Sequence, residues 1–243
     1  MRVNQEKCIG CEKCLIYCNV GAIKFDYEAK KAYVDQDVCV ECWVCYRNDI
    51  CPVKAFEPTE LETFADQFKH VISDPIETTA ETGVPGRGTE EAKTNDVTGR
   101  TKKGQVGIAI DMGRPGVGCY MYDVEKVAMA MAAAGVEFEG PETTPLAKLM
   151  TDIKTGKLND DILNMHVLSV IIEGNCKMEE FSKVLDAAKA VEKEIDTVFS
   201  LGIVLRVDEN GYSPGLDTIK EKGLEMSTKS KVNIGVGRPL VTD

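Results

Sequence analysis

Cys8-Ile9-Gly10-Cys11-Glu12-Lys13-Cys14-Leu15-Ile16-Tyr17-Cys18 and Cys39-Val40-Glu41-Cys42-Trp43-Val44-Cys45, the latter reaching Cys51-Pro52 after five more residues, repeat one pattern. The first run reads C-x2-C-x2-C-x3-C and the second C-x2-C-x2-C-x5-C. Three thiols at two-residue intervals can wrap a single loop around three corners of an iron-sulfur cube, and the fourth corner must come from elsewhere. Structural zinc sites use a C-x2-C pair with a distant second pair, so a third cysteine at the same interval is surplus to a tetrahedral set. Disulfides would need an oxidising compartment, and nothing at the N-terminus reads as a charged, apolar, small-residue leader.

On these residues the segment 1–58 resembles a bacterial-type ferredoxin carrying two 4Fe-4S clusters. The resemblance implies that Cys8, Cys11, Cys14 and Cys51 hold one cluster, and that Cys39, Cys42, Cys45 and Cys18 hold the other. In that family the last cysteine of each run serves the other cluster. Two departures stand out: Cys18 is followed by Asn19 rather than Pro, and Tyr46 to Ile50 lengthen the interval between Cys45 and Cys51. Neither removes a ligand, but the longer loop is expected to reshape the surface beside one cluster. Ala22 to Tyr27 and Lys31 to Asp35 read as a hairpin between the two runs. Ile9, Ile16, Val20, Val38 and Trp43 are expected to keep water off the sulfurs, which with hydrogen bonding sets the potential.

Composition narrows the remaining classes. The chain has 243 residues with 40 acidic against 29 basic, a formal charge of -11, and only 6% aromatics, which argues against non-specific nucleic-acid binding. The longest low-polarity run, Val127 to Val136, is half a membrane span, so a cytoplasmic protein without a membrane span is expected.

Beyond residue 58 the pattern changes twice. Residues 59–104 read as a short helix, Glu60 to Val71, followed by a polar arm. The arm contains Gly83-Val84-Pro85-Gly86-Arg87-Gly88, a candidate anion-binding turn, and the cationic stretch Thr98 to Lys103. Residues 105–243 alternate strands with helices: a strand at Val106 to Met112, a helix at Asp123 to Ala134 and a strand at Val136 to Glu139. A proline-started helix then runs from Thr144 to Gly156, a strand from Ile162 to Ile172, a helix from Met178 to Ile195 and a last strand from Val198 to Val207. The fold class read from this is α+β: a two-cluster ferredoxin domain, an extended arm and a split βαβ sandwich, with a small doubly wound sheet as the other arrangement.

Met112-Gly113-Arg114-Pro115-Gly116 and Gly235-Val236-Gly237-Arg238-Pro239 share Gly-Arg-Pro, so Gly113, Arg114, Gly237 and Arg238 are candidate positions for an anionic ligand such as flavin. Cys119 and Cys176 read as small buried core residues, and His70 and His166 as structural histidines. The stretch from Asp74-Pro75-Ile76-Glu77-Thr78-Thr79 to Gly99-Arg100, with the Gly113-Arg114-Pro115 turn, resembles iron-sulfur proteins of anaerobic bacteria grouped with 6-hydroxynicotinate reductase. That resemblance implies ferredoxin-linked reduction of an unsaturated substrate with flavin nearby. The expectation is an electron-transfer subunit of an anaerobic reductase, in a hetero-oligomer with a flavoprotein or metalloenzyme partner. The alternatives are a self-contained reductase whose C-terminal half binds flavin or substrate, and a ligand-sensing ferredoxin.

Overall fold

A computed structural model describes residues 1–74, 76, 99–114 and 116–226. The chain divides into two compact units: the first is drawn from Met1–Gly88, Gly113–Met121 and Asn164–Ser169, the second from Thr89–Met112, Tyr122–Leu163 and Val170–Asp243. Two stretches far along the sequence therefore belong to the unit that carries the cysteine runs.

In the first unit, β1 (Arg2–Val3) pairs antiparallel with β4 (Phe56–Glu57), tying the two ends of the cysteine-rich segment together. Between them β2 (Ile23–Asp26) and β3 (Lys31–Val34) form the expected hairpin. Its turn is set by Asp26, whose carboxylate accepts from the amides of Glu28 and Ala29 at 2.9 and 3.0 Å. Alternation puts Ile23 and Ala32 inward against Val3, Ala22, Ala55 and Phe56, a core in which Cys8, Cys14 and Cys39 are also buried. A single turn of helix, α1 (Val44–Arg47), follows the second cysteine loop. Helix α2 (Phe64–Ser73) opens on a capping box in which Thr63 and Asp66 satisfy each other's backbone amides. The short ribbon β6 (Cys119–Tyr120) with β10 (His166–Val167) brings the two late stretches together.

The second unit is built on a four-stranded sheet. Its strands are β5 (Gln105–Met112), β7 (Glu137–Phe138), β11 (Val170–Lys177) and β12 (Phe199–Val204), arranged β12-β5-β11-β7 with every neighbour antiparallel. The order in space is thus fourth, first, third, second. Register places Ile110 between Ile172 and Leu201, and Ile108 between Gly174 and Ile203, so one face of the sheet is continuous and apolar. Helix α3 (Met121–Ala134) buries Val124, Val127, Ala128 and Met131 completely. Helix α4 (Phe181–Val191) buries Phe181, Val184, Leu185, Ala188 and Val191, the i, i+3, i+4, i+7 stripe of a core-facing helix. Helix α5 (Pro214–Glu221) follows the last strand of the sheet.

Two sequence expectations change. The helix read from Thr144 to Gly156 is a short 3-10 turn, Pro145–Leu149, followed by the hairpin β8 (Met150–Asp152) and β9 (Lys157–Leu158). Thr151 and Ile153 are β-branched, and Asp152 caps the amide of Lys154 at 2.9 Å, which closes a turn where the helix was to continue. The strand read from Ile162 to Ile172 is broken, because His166–Val167 pairs with Cys119–Tyr120 and only Val170 onward joins the sheet. Residues 77–98 and 227–243 lie outside the described residues, and with them the Gly83 to Gly88 turn, Gly237 and Arg238. Among the described residues no helix is long and apolar enough to cross a membrane.

Phe181 is fully buried at the start of α4. Phe181→Ala is expected to cost about 3–5 kcal/mol through lost transfer energy and the residual cavity, read as a lowered urea midpoint for the unit containing the sheet.

Candidate functional site

The two cysteine loops share a backbone conformation. In the first, the residues flanking the middle cysteine, Gly10 and Glu12, have φ of 67° and 58°; in the second, Glu41 and Trp43 have 52° and 53°. Left-handed residues alternating with ordinary ones curl the chain, so that successive side chains point into one concavity rather than along a line. At Gly10 only glycine fits, since a Cβ would lie 2.3 Å from the Lys30 carbonyl oxygen. Glu41, at the equivalent place, has room for a side chain and uses it.

The thiols gather in two sets. Cys8, Cys11, Cys14 and Cys51 line one cavity, walled by Val3, Ala32, Ala55 and Phe56. Burial pushes the Cys14 thiol up, and its neighbours Cys11, Cys51 and Cys8 add to the shift. Burial likewise raises Cys42, with Cys18 beside it, and pushes Cys45 up to about 12, with Cys42 and Cys18 contributing. Cys39 is pushed up to about 12 by burial and then by Glu41. Cys51 thus stands with the first run and Cys18 with the second. Four thiols around an apolar space form a soft donor set suited to iron-sulfur ligation, and each would have to give up its proton on binding.

Around the second loop lies a polar network that the sequence did not reveal. The Glu41 side chain is 5% exposed; its carboxylate accepts from the Met1 amine at 2.5 Å and from Trp43 Nε1 at 2.9 Å, with Cys39 Sγ at 3.5 Å. His70 from α2 donates through Nδ1 to the Glu41 carbonyl at 2.8 Å and packs its ring 4.2 Å from that of Trp43. Arg47, from the lengthened Cys45 to Cys51 interval, bonds the Cys42 carbonyl at 2.5 Å and the buried Asp74 at 2.6 Å. His166 donates through Nδ1 to the Val38 carbonyl at 2.7 Å, with its ring stacked 4.5 Å from Tyr120. Burial holds His166 below the usual histidine range.

The Gly113 to Gly118 turn is part of this neighbourhood. The amides of Gly116, Val117 and Gly118 all turn back to the Gly113 carbonyl, which closes the turn on itself. A Cβ at Gly116 would come 3.7 Å from Asn19 Nδ2, which places the turn against the residue that stands where ferredoxins carry proline. Leu168 donates its amide to Ser73 Oγ at 3.0 Å, which fastens the second late stretch to the end of α2. Of the apolar residues expected to shield the sulfurs, Ile9 lines the first thiol cavity while 64% exposed, and Ile16 is 84% exposed. Cys119 and Cys176 are buried in β6 and β11.

Comparison with known proteins agrees with the cysteine geometry. Residues 1–57 match the family model of the 4Fe-4S dicluster domain. A pyruvate synthase subunit PorD of Methanocaldococcus jannaschii is 42% identical over 60 residues, 25% of this chain and 66% of that one. An indolepyruvate oxidoreductase subunit IorA of Pyrococcus horikoshii is 45% identical over 56 residues, 23% of this chain but 8% of its own length. The PorD of Methanothermobacter marburgensis is 34% identical over 55 residues, 59% of its length. The likeness stays within the cysteine-bearing segment and covers less than two thirds of each relative. No solved structure matches the chain.

Asp74 has a side chain only 2% exposed, and its carboxylate lies 2.6 Å from Arg47 and 3.6 Å from His70 Nε2. Arg47→Ala is therefore expected to destabilise the first unit by about 3–5 kcal/mol, the usual penalty for stranding a buried charge, measured as a lowered midpoint of thermal unfolding.

Proposed function

We propose that this chain is the iron-sulfur electron-transfer subunit of an oxidoreductase complex, relaying single electrons through two 4Fe-4S clusters to a flavin or metal centre on a partner chain. The observation that carries the reading is the doubled cysteine loop: one left-handed pattern built twice, with Cys51 beside the first run and Cys18 beside the second. Under this reading Cys8, Cys11, Cys14 and Cys51 hold one cluster, and Cys39, Cys42, Cys45 and Cys18 the other. Each cluster would supply reversible one-electron acceptance, and the chain's residues supply orientation, exclusion of water and the local field.

The relatives are named as subunits of an indolepyruvate oxidoreductase and of a pyruvate synthase, which supports a hetero-oligomer with a redox partner. The likeness to IorA covers 8% of that protein's length, and substrate chemistry belongs to another chain in this proposal. The reading places the complex in the cytoplasm of an anaerobe. The second unit is read as a split βαβ sandwich, supported by its fourth-first-third-second antiparallel order. In this proposal flavin is carried by the partner chain.

Anaerobically prepared protein is expected to carry about eight irons per chain. Cys18→Ala should perturb the spectrum of the cluster held by Cys39, Cys42 and Cys45 and spare the one nearest in sequence. Loss of the near cluster alone would refute the interlocked assignment. Purification from native cells should bring down a flavoprotein or metalloenzyme chain in fixed ratio; recovery of the chain alone with bound flavin would move catalysis into residues 105–243.

A further inference from the structure

The chain contains two histidines, and both are spent on the backbone of the second cysteine loop. His166 holds the Val38 carbonyl and His70 the Glu41 carbonyl, while Arg47 holds that of Cys42. Three peptide oxygens around Cys39 and Cys42 are thereby fixed on donors brought from residues 47, 70 and 166. The first loop is treated differently: its Cys8 carbonyl accepts from Lys31 Nζ, and the Glu12 and Cys14 carbonyls accept from the local amides of Leu15 and Tyr17.

The His166 ring is set in place from several sides. It is 6% exposed, lies 4.5 Å from Tyr120 with 23° between the planes, and presses so closely on Gly118 that a Cβ there would sit 2.4 Å from Nε2. Because a carbonyl can only accept, the bond to Val38 fixes the proton on Nδ1. An aligned donor of this kind acts on the dipole of the peptide that leads directly into Cys39.

We infer that His166 is a positioning residue for the cluster assigned to Cys18, Cys39, Cys42 and Cys45, setting that cluster's reduction potential separately from the other by holding the Val38 carbonyl. The inference rests on the two-cluster reading. Reduction adds negative charge, and an unheld carbonyl oxygen beside that charge opposes it, whereas a carbonyl whose negative end is taken up by a donor does not. Removal of the donor should lower the potential.

The test is an anaerobic redox titration of the full chain, followed by electron paramagnetic resonance alongside iron analysis, for wild type, His166→Leu, His166→Asn and His166→Gln. Asparagine can place an N–H where Nδ1 stands, and glutamine places it one methylene further out. His166→Leu is expected to keep about eight irons and to lower one of the two potentials by about tenfold in the reduction equilibrium, about 59 mV for one electron, leaving the other in place. His166→Asn should restore the wild-type value and His166→Gln should not. Two unmoved potentials in a fully loaded His166→Leu protein would overturn the inference, as would equal shifts in both. If His166→Leu does not fold, the comparison of Asn with Gln decides: the same potentials in both would reduce His166 to packing. A wild-type chain without eight irons would refute the two-cluster reading itself, a result distinct from all of these.

Discussion

Three side chains from one short segment can meet three corners of a cube only if the backbone curls. On an α-helix, residues three apart form a row with a rise of about 4.5 Å per step, which lines up donors instead of surrounding anything. This chain escapes that geometry by entering the left-handed region on both sides of each middle cysteine, at Gly10, Glu12, Glu41 and Trp43. For the three that are not glycine the conformation costs about 1–2 kcal/mol each, and it persists only where the surroundings dictate it. The rest of the unit can be understood as that dictation. The β1–β4 pair closes the segment, the β2–β3 hairpin supplies an apolar floor, and Trp43 is fixed by its bond to Glu41 and its packing on His70.

The repeat is symmetric in backbone but not in surroundings, and a single residue pair shows why. Gly10 and Glu41 occupy equivalent positions, yet the Lys30 carbonyl blocks any side chain at the first. At the second, a buried carboxylate becomes possible and must then be satisfied, which it is by the Met1 amine and the Trp43 indole. The Glu41 carbonyl, for its part, joins a network through His70 and Asp74 to Arg47. Two thiol sets on one backbone plan therefore sit in different fields: one is walled by Val3, Ile9, Ala32, Ala55 and Phe56, the other is enclosed by bonded polar groups.

What the sequence made legible was what is local. The cysteine spacing, the hairpin and the stripe on α4 each lie within a few residues, and the structure keeps them. The reading of 144–156 as one helix failed within a similar range, because Asp152 offered the backbone a turn that competes with helix. The polar network was illegible for another reason: His166 and Val38 are 128 residues apart, and nothing near either position marks the pairing. Apolar residues beside the cysteines invited the assumption that they cover sulfur. Ile16 shows that adjacency in sequence does not fix the direction of a side chain next to a loop that reverses its backbone at every second residue.

The two departures from the ferredoxin pattern are explained by the same contacts. Asn19 replaces proline where the Gly113 to Gly118 turn lies against the chain, and the extra residues after Cys45 form the turn that delivers Arg47 to Asp74 at the end of α2. Here both points are occupied by later parts of the same chain, and Gly118 is held to glycine because His166 leaves no space for a Cβ. Residues 113–121 and 164–169 are thus complementary to the cysteine-bearing segment in shape and in hydrogen bonding, which is why they fold with it rather than with the sheet that flanks them in sequence.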